Sequence, residues 1–129
     1  MSEPDWIPRE LCIEMHEREL TRYGGLSGVR DEGLLDSALN RPRQLFIFGN
    51  PSIPELAAAY AFGIAKNHPF FDGNKRCALM ASLFFLESNG FRFSGSSDEA
   101  IVFTLELAAG TMSEGAFSEW LTARSEEIQ

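Results

Sequence analysis

Residues 56–89 read LAAAYAFGIAKNHPFFDGNKRCALMASLFFLESN. Two helices are predicted in this stretch, one through Leu56–Ala65 and one from Asn74 to Asn89, and both are apolar nearly all round. Helices of that kind are buried and central. Ser52 and Glu55 stand at capping-box spacing ahead of the first, which stops at Asn67-His68-Pro69, and Gly90 ends the second. A loop held at both ends by buried helices has a rigid frame.

That loop is His68-Pro69-Phe70-Phe71-Asp72-Gly73-Asn74-Lys75-Arg76. It offers a base, a carboxylate, a glycine turn, an amide, an ammonium and a guanidinium, a set suited to phosphate chemistry. With a nucleotide's phosphates against the start of the Asn74 helix, the backbone amides near Gly73 and Asn74, the Asn74 side chain, Lys75 and Arg76 form a positive lining. Asp72 then holds Mg²⁺ on the same phosphates. His68, across the turn, deprotonates an attacking hydroxyl. Taken singly, each residue has a plainer role: a His at a helix end caps carbonyls, Asp-Gly makes turns, Asn-Lys-Arg starts helices, and Phe70 plugs a core.

Toward the N-terminus, Pro8 to Tyr23 has helical spacing with Gly24-Gly25 as its stop. His16 lies on its buried face, read as a packed histidine with a satisfied nitrogen, with a functional role as the alternative. Leu26–Val29 is a short Gly-bearing link. Asp31 is the expected N-cap of a helix ended by Pro42. Arg41 and Arg43 bracket that proline as a solvated pair, with a role in ligand or partner binding as the alternative. Residues 44–53 resist a helical reading and are expected to form a short extended segment or hairpin, with Phe46 and Phe48 pointing the same way. Beyond Gly90, Phe91-Arg92-Phe93 is a brief extended link. Ser97 is the expected cap of a helix facing inward through Ile101, Leu105 and Ala108. Ser113 caps a last helix with Ala116, Phe117, Trp120 and Leu121 as its stripe, and residues 125–129 are expected to fray.

The chain has 129 residues, enough for one domain spanning 1–129. Hydrophobic residues at 44%, with 11 Phe and 2 Trp, argue for a real core. A net charge of −8 argues against a sequence-blind grip on nucleic acid, so proteins or small anions are the expected partners. Cys12 and Cys77 have no metal-ligand spacing and read as small buried hydrophobes in a reducing cytoplasm. Neither a secretory leader nor a membrane span is expected.

The nine-residue loop resembles the signature of the Fic/Doc superfamily, His-x-Phe-x-(Asp/Glu/Asn)-(Gly/Ala)-Asn-(Gly/Lys)-Arg, and is most similar to its death-on-curing (Doc) branch. His16, Arg22-Tyr23-Gly24-Gly25-Leu26, Asp31-x-Gly33 and the Leu56–Lys66 helix extend the likeness over most of residues 7–124. The resemblance implies an all-α fold, a compact domain of six helices with a short extended flap at residues 44–53. It also implies the toxin of a toxin–antitoxin pair, which moves the γ-phosphate of ATP to a hydroxyl of a translation factor, elongation factor Tu above all. Carried over by position, His68 is the base, Asp72 the Mg²⁺ ligand, Asn74 and Lys75 phosphate ligands, and Arg76 a clamp on the triphosphate. Gly73 opens the anion site, and Lys66 matches a basic position that touches nucleotide. AMP-transferring members carry Gly where this chain has Lys75 and Arg where it has Leu79, which favours kinase-like transfer. Gly73 is the choice of the AMP-transferring branch and keeps protein adenylylation as an alternative, beside a catalytically silent co-repressor that only binds its antitoxin. The family's inhibitory pattern, Ser/Thr-x-x-x-Glu-Gly/Asn, is matched at Thr122-x-x-x-Glu126 in spacing alone, since Glu127 follows. Restraint by a separate antitoxin is therefore implied, its tail folding onto an apolar groove.

Overall fold

Why the chain collapses around one helix is visible from the middle outward. In a computed structural model, which describes residues 2–128, the elements are α1 (Arg9–Tyr23), α2 (Glu32–Phe48), α3 (Ile53–Asn67), α4 (Asn74–Ser88), β1 (Phe91–Phe93), α5 (Ser97–Ala109), α6 (Glu114–Ala123) and β2 (Ser125–Glu127). Helix α3 touches α2, α4, α5 and α6, and every residue from Leu56 to Ala61 is fully buried. Its start is set by the expected capping box: the Glu55 N–H donates to Ser52 Oγ at 3.3 Å and the Ser52 N–H to Glu55 Oε1 at 2.9 Å. The all-α expectation holds, with a two-stranded ribbon and an isolated antiparallel bridge between Val29 and Phe70 as the β-structure among the described residues.

Small residues let the helices approach closely. A Cβ placed on Gly63 would lie 3.1–3.2 Å from Cα, Cβ and O of Ala38, so α2 and α3 meet there with their backbones nearly in contact. Tyr60, in the same helix, is fully buried yet keeps its hydroxyl satisfied by accepting the Ile7 N–H at 3.0 Å, which ties the N-terminal segment to the core. Both cysteines are buried and free, as expected. No helix among the described residues is long and apolar enough to cross a membrane.

Several expectations are overturned by tertiary contacts. Pro42 does not end α2, which runs through it to Phe48. The helix continues because its last turns are anchored: Arg41 pairs with Glu114 of α6 and lies 4.6 Å over the Phe62 ring, Pro42 is buried, and Phe46 meets Trp6 edge-on at 5.6 Å. The extended flap expected at residues 44–53 is therefore a helix end and a short link, and Phe46 and Phe48 diverge, Phe48 being 86% exposed. Arg43 lies 5.4 Å over Trp6, so neither arginine is merely a solvated charge. Residues 125–128 do not fray: Ser125–Glu127 pairs antiparallel with Phe91–Phe93, Phe91 opposite Glu127, and the Ile128 N–H donates to Gly90 O at 2.7 Å, while Gln129 of the expected frayed tail lies outside the described residues. Helix α5 is capped by Ser96 rather than Ser97, through the Glu99 N–H at 3.0 Å. Its buried face is Ala100, Thr104 and Leu107, leaving Ile101 and Leu105 about half exposed. In α6, Phe117, Trp120 and Leu121 are buried and Ala116 is at the surface.

Two outcomes follow from these contacts. Gly63→Ala gains helix propensity of about 1 kcal/mol but forces backbone apart at the α2–α3 crossing, for which overpacking costs about 1–3 kcal/mol. Urea unfolding should therefore show net destabilisation of about 1 kcal/mol, and an unchanged midpoint would show that the crossing yields freely. Burial pushes the Tyr60 hydroxyl up from 10.0 to about 12, so the folded chain keeps a proton that the unfolded chain loses. Its contribution is intact below pH 10 and is lost as pH rises through 12, up to about 3 kcal/mol, and Tyr60→Phe should flatten that alkaline decline in urea midpoints.

Candidate active site

The two central helices are joined through two left-handed corners. His68 caps α3 with φ 49° and ψ 56°, the one positive φ outside glycine among the described residues, and Gly73 starts α4 with φ 75° and ψ 17°. Pro69 disfavours a further helical residue at His68, which is why the chain turns there. Gly73 suits this place because its φ of 75° lies in the left-handed region that strains a residue with a Cβ.

Between the corners, Asn74 holds the loop closed. Its Oδ1 accepts the Phe70 N–H at 2.9 Å and its Nδ2 donates to the Phe70 carbonyl at 2.9 Å, with the residue only 5% exposed. Both amide atoms are thereby assigned, and the second Nδ2 hydrogen faces His68 Nδ1 at 3.4 Å. The loop rests on α1: the Phe70 ring stacks on His16 at 3.7 Å, and His16 Nε2 donates to the Asp72 carbonyl at 2.7 Å. His16 is thus the packed histidine expected, with Nδ1 buried and unpartnered. Packed here means packed beneath the motif.

The link between α1 and α2 does more than its sequence reading suggested. The Leu26 N–H donates to Asp72 Oδ2 at 2.8 Å, Arg76 Nη2 donates to the Gly24 carbonyl at 3.1 Å, and Arg76 lies 5.3 Å over the Tyr23 ring. The Phe71 N–H donates to Gly28 O at 3.3 Å, and the Arg30 and Asp31 N–H groups both donate to Pro69 O, at 2.7 and 3.1 Å. Arg30 also reaches the His68 and Asn67 carbonyls, at 2.8 and 3.0 Å. Residues 24–31 therefore strap the motif loop along its length. The available signal was the three glycines, Gly24, Gly25 and Gly28, all of which take positive φ.

A cavity of about 380 Å³ opens at this loop. One end is lined by His68, Asp72, Gly73, Asn74, Lys75 and Arg76, six of the seven expected site residues. Lys66 is not in that lining and has its Nζ beside Gly110, at the C-terminal end of α5. The other end is an apolar wall of Phe71, Leu79, Ile101 and Leu105, in which Thr104 turns its hydroxyl to the Ala100 carbonyl at 2.8 Å. No side chain caps α4, so its first-turn amides add partial positive charge beside Lys75 and Arg76. Positive charge is thus gathered at one place in a chain of net charge −8. No cluster of three or more metal-ligating side chains occurs among the described residues. Asp72 keeps one carboxylate oxygen beyond its bond to Leu26, which fits Mg²⁺, an ion that takes one or two protein carboxylates and fills its shell with phosphate and water.

Comparison with known proteins agrees with this geometry. The Fic/DOC family model matches residues 6–86, a span that takes in α1, the strap, the motif loop and most of α4. The chain is 33% identical over 115 residues to the protein kinase doc of Escherichia phage P1, covering 88% of this chain and 90% of that protein. It is 43% identical over 79 residues to the toxin Doc of Mycolicibacterium smegmatis, covering 59% of this chain and 60% of that protein. The chain belongs to the Fic/DOC family, in its death-on-curing branch.

Proposed function

We propose that the protein is a toxin that transfers the γ-phosphate of ATP to a hydroxyl of a protein in translation, elongation factor Tu being the favoured target, and that a separate antitoxin restrains it. The carrying observation is the single cavity in which an imidazole, a carboxylate with a free oxygen and an uncapped, cationic helix start face one volume. The triphosphate lies on the α4 amides with Lys75 and Arg76 as its cations, and Asn74 contributes through its backbone, its side chain being committed to Phe70. Asp72 holds Mg²⁺, which neutralises phosphate charge when bound. The incoming hydroxyl oxygen bonds to the γ-phosphorus as the bond to the β,γ-bridging oxygen breaks, ADP leaves, and the hydroxyl proton passes to His68.

His68 Nδ1 faces the Asn74 amide, while Nε2 has no protein partner among the described residues. Proton removal by Nε2 requires the tautomer that carries its proton on Nδ1, with the Asn74 amide then in contact with that N–H and not bonded to it. Names of relatives support the assignment, one a protein kinase and the other a toxin. Leu79, one turn beyond Arg76 and part of the apolar wall, supplies no second cation for the γ-phosphate. Gly73, the residue that pointed to AMP transfer, has a sufficient reason in its left-handed backbone angle. Support for an external antitoxin comes from the tail, where Glu126 stands opposite Arg92 on the β-ribbon and outside the cavity lining.

Incubation of the protein with elongation factor Tu and ATP labelled at either the α- or the γ-phosphate tests the proposal. Label should reach the target from the γ-position alone and depend on Mg²⁺; transfer from the α-position would overturn the kinase reading in favour of adenylylation. His68→Ala should slow transfer by about 10²–10⁴-fold, as expected for loss of a general base. Asp72→Ala should leave little Mg²⁺-dependent transfer, and growth arrest undiminished in both variants would instead identify a catalytically silent partner of the antitoxin.

A further inference from the structure

Arg30 lies outside the nine-residue motif, 38 residues before His68 in the chain, yet it holds the backbone on which His68 stands. Its Nε donates to the His68 carbonyl at 2.8 Å and its Nη2 to the Asn67 carbonyl at 3.0 Å. Its own backbone N–H donates to the Pro69 carbonyl at 2.7 Å. One residue thus satisfies three successive carbonyls at the C-terminal end of α3, where the helix leaves its acceptors unpaired and partially negative. A guanidinium suits this place because its rigid fork reaches two acceptors at once, which an ammonium on a flexible stem does not.

The backbone held in this way is an unfavourable one. His68 carries a Cβ at φ 49°, a conformation that persists only where surrounding contacts over-determine it. Its other restraints are modest: its N–H donates to Ile64 O at 3.2 Å, and Asn74 approaches the ring at 3.4 Å. If φ relaxed, the Cα–Cβ bond would swing and carry the imidazole with it. We propose that Arg30 is a positioning residue, which locks the left-handed backbone of His68 and thereby sets the imidazole pose required for proton removal. Arg30 does not line the cavity, so it acts through His68 and not on substrate. The catalytic part of this assignment rests on the phosphotransfer function proposed above.

The chain contains only two histidines, which makes a clean test available. In nitrogen-15 histidine spectra, Arg30→Ala should displace the His68 ring signals while those of His16, buried under the loop, stay in place. In the labelled-phosphate assay the same variant should lose about ten- to a hundredfold in kcat, the scale of a misplaced reacting group, with KM for ATP changed by less than about twofold. Arg30→Lys should fall between the two, and free guanidinium should restore part of the kcat of Arg30→Ala. Unmoved His68 signals, an unchanged kcat, or displacement of His16 together with His68 would each overturn the assignment, the last by showing general loss of structure. If the unsubstituted protein transfers no γ-phosphate, the phosphotransfer reading falls, and the His68 signals alone then decide whether Arg30 positions the ring.

Discussion

The paired hydrogen bonds between the Asn74 side chain and the Phe70 backbone, at 2.9 Å each, are the constraint on which the functional loop depends. They close a five-residue ring across the interval between His68 and Gly73 and are almost wholly removed from water. A buried amide left without partners costs more than an ordinary hydrogen bond contributes, so loss of either bond favours reopening of the whole turn. The same side chain faces the imidazole, and its residue begins α4. Loop closure and the start of α4 are therefore one event, and it takes place beside the imidazole.

Around that ring the support comes from elements distant in sequence. From below, His16 of α1 supplies a stacked ring for Phe70 and a donor for the Asp72 carbonyl. From the side, residues 24–31 supply donors to the Asp72 carboxylate and the Pro69 carbonyl and an acceptor for Arg76. The groups that would meet a nucleotide are thus borne by one short segment, and their partners by another. Precision at such a site comes from these partners as much as from the groups themselves.

How much of this could be read from residue order varies with the range of the contact responsible. Helices α3 and α4, the capping box at Ser52, the Asp31 and Ser113 caps and the cationic loop all depend on neighbours within a few residues, and they stand where the pattern put them. Continuation of α2 through Pro42 could not be seen locally, because the anchors are Glu114, Phe62 and Trp6. The tail is a strand because Phe91–Phe93 offers it an edge. Ile101 and Leu105 fitted an inward stripe by spacing, and only the placement of α5 beside the motif loop turned them into a cavity wall. Asn74 was legible as a site residue but not as the clasp it is, since the partner that engages its side chain is backbone and carries no sequence signature.

Asn89 and Gly90, at the end of α4 remote from the loop, collect both extremities of the described chain. The Asn89 side chain exchanges hydrogen bonds with the backbone of Asp5 at 2.7 and 3.1 Å, and the carbonyl of Gly90 receives Ile128. At the rise of a helix, this junction lies about 20 Å from the motif loop. Asp5 and Ile128 are thereby held at the same helix end, so fraying of that end would release both segments together while the motif loop stays anchored at the other.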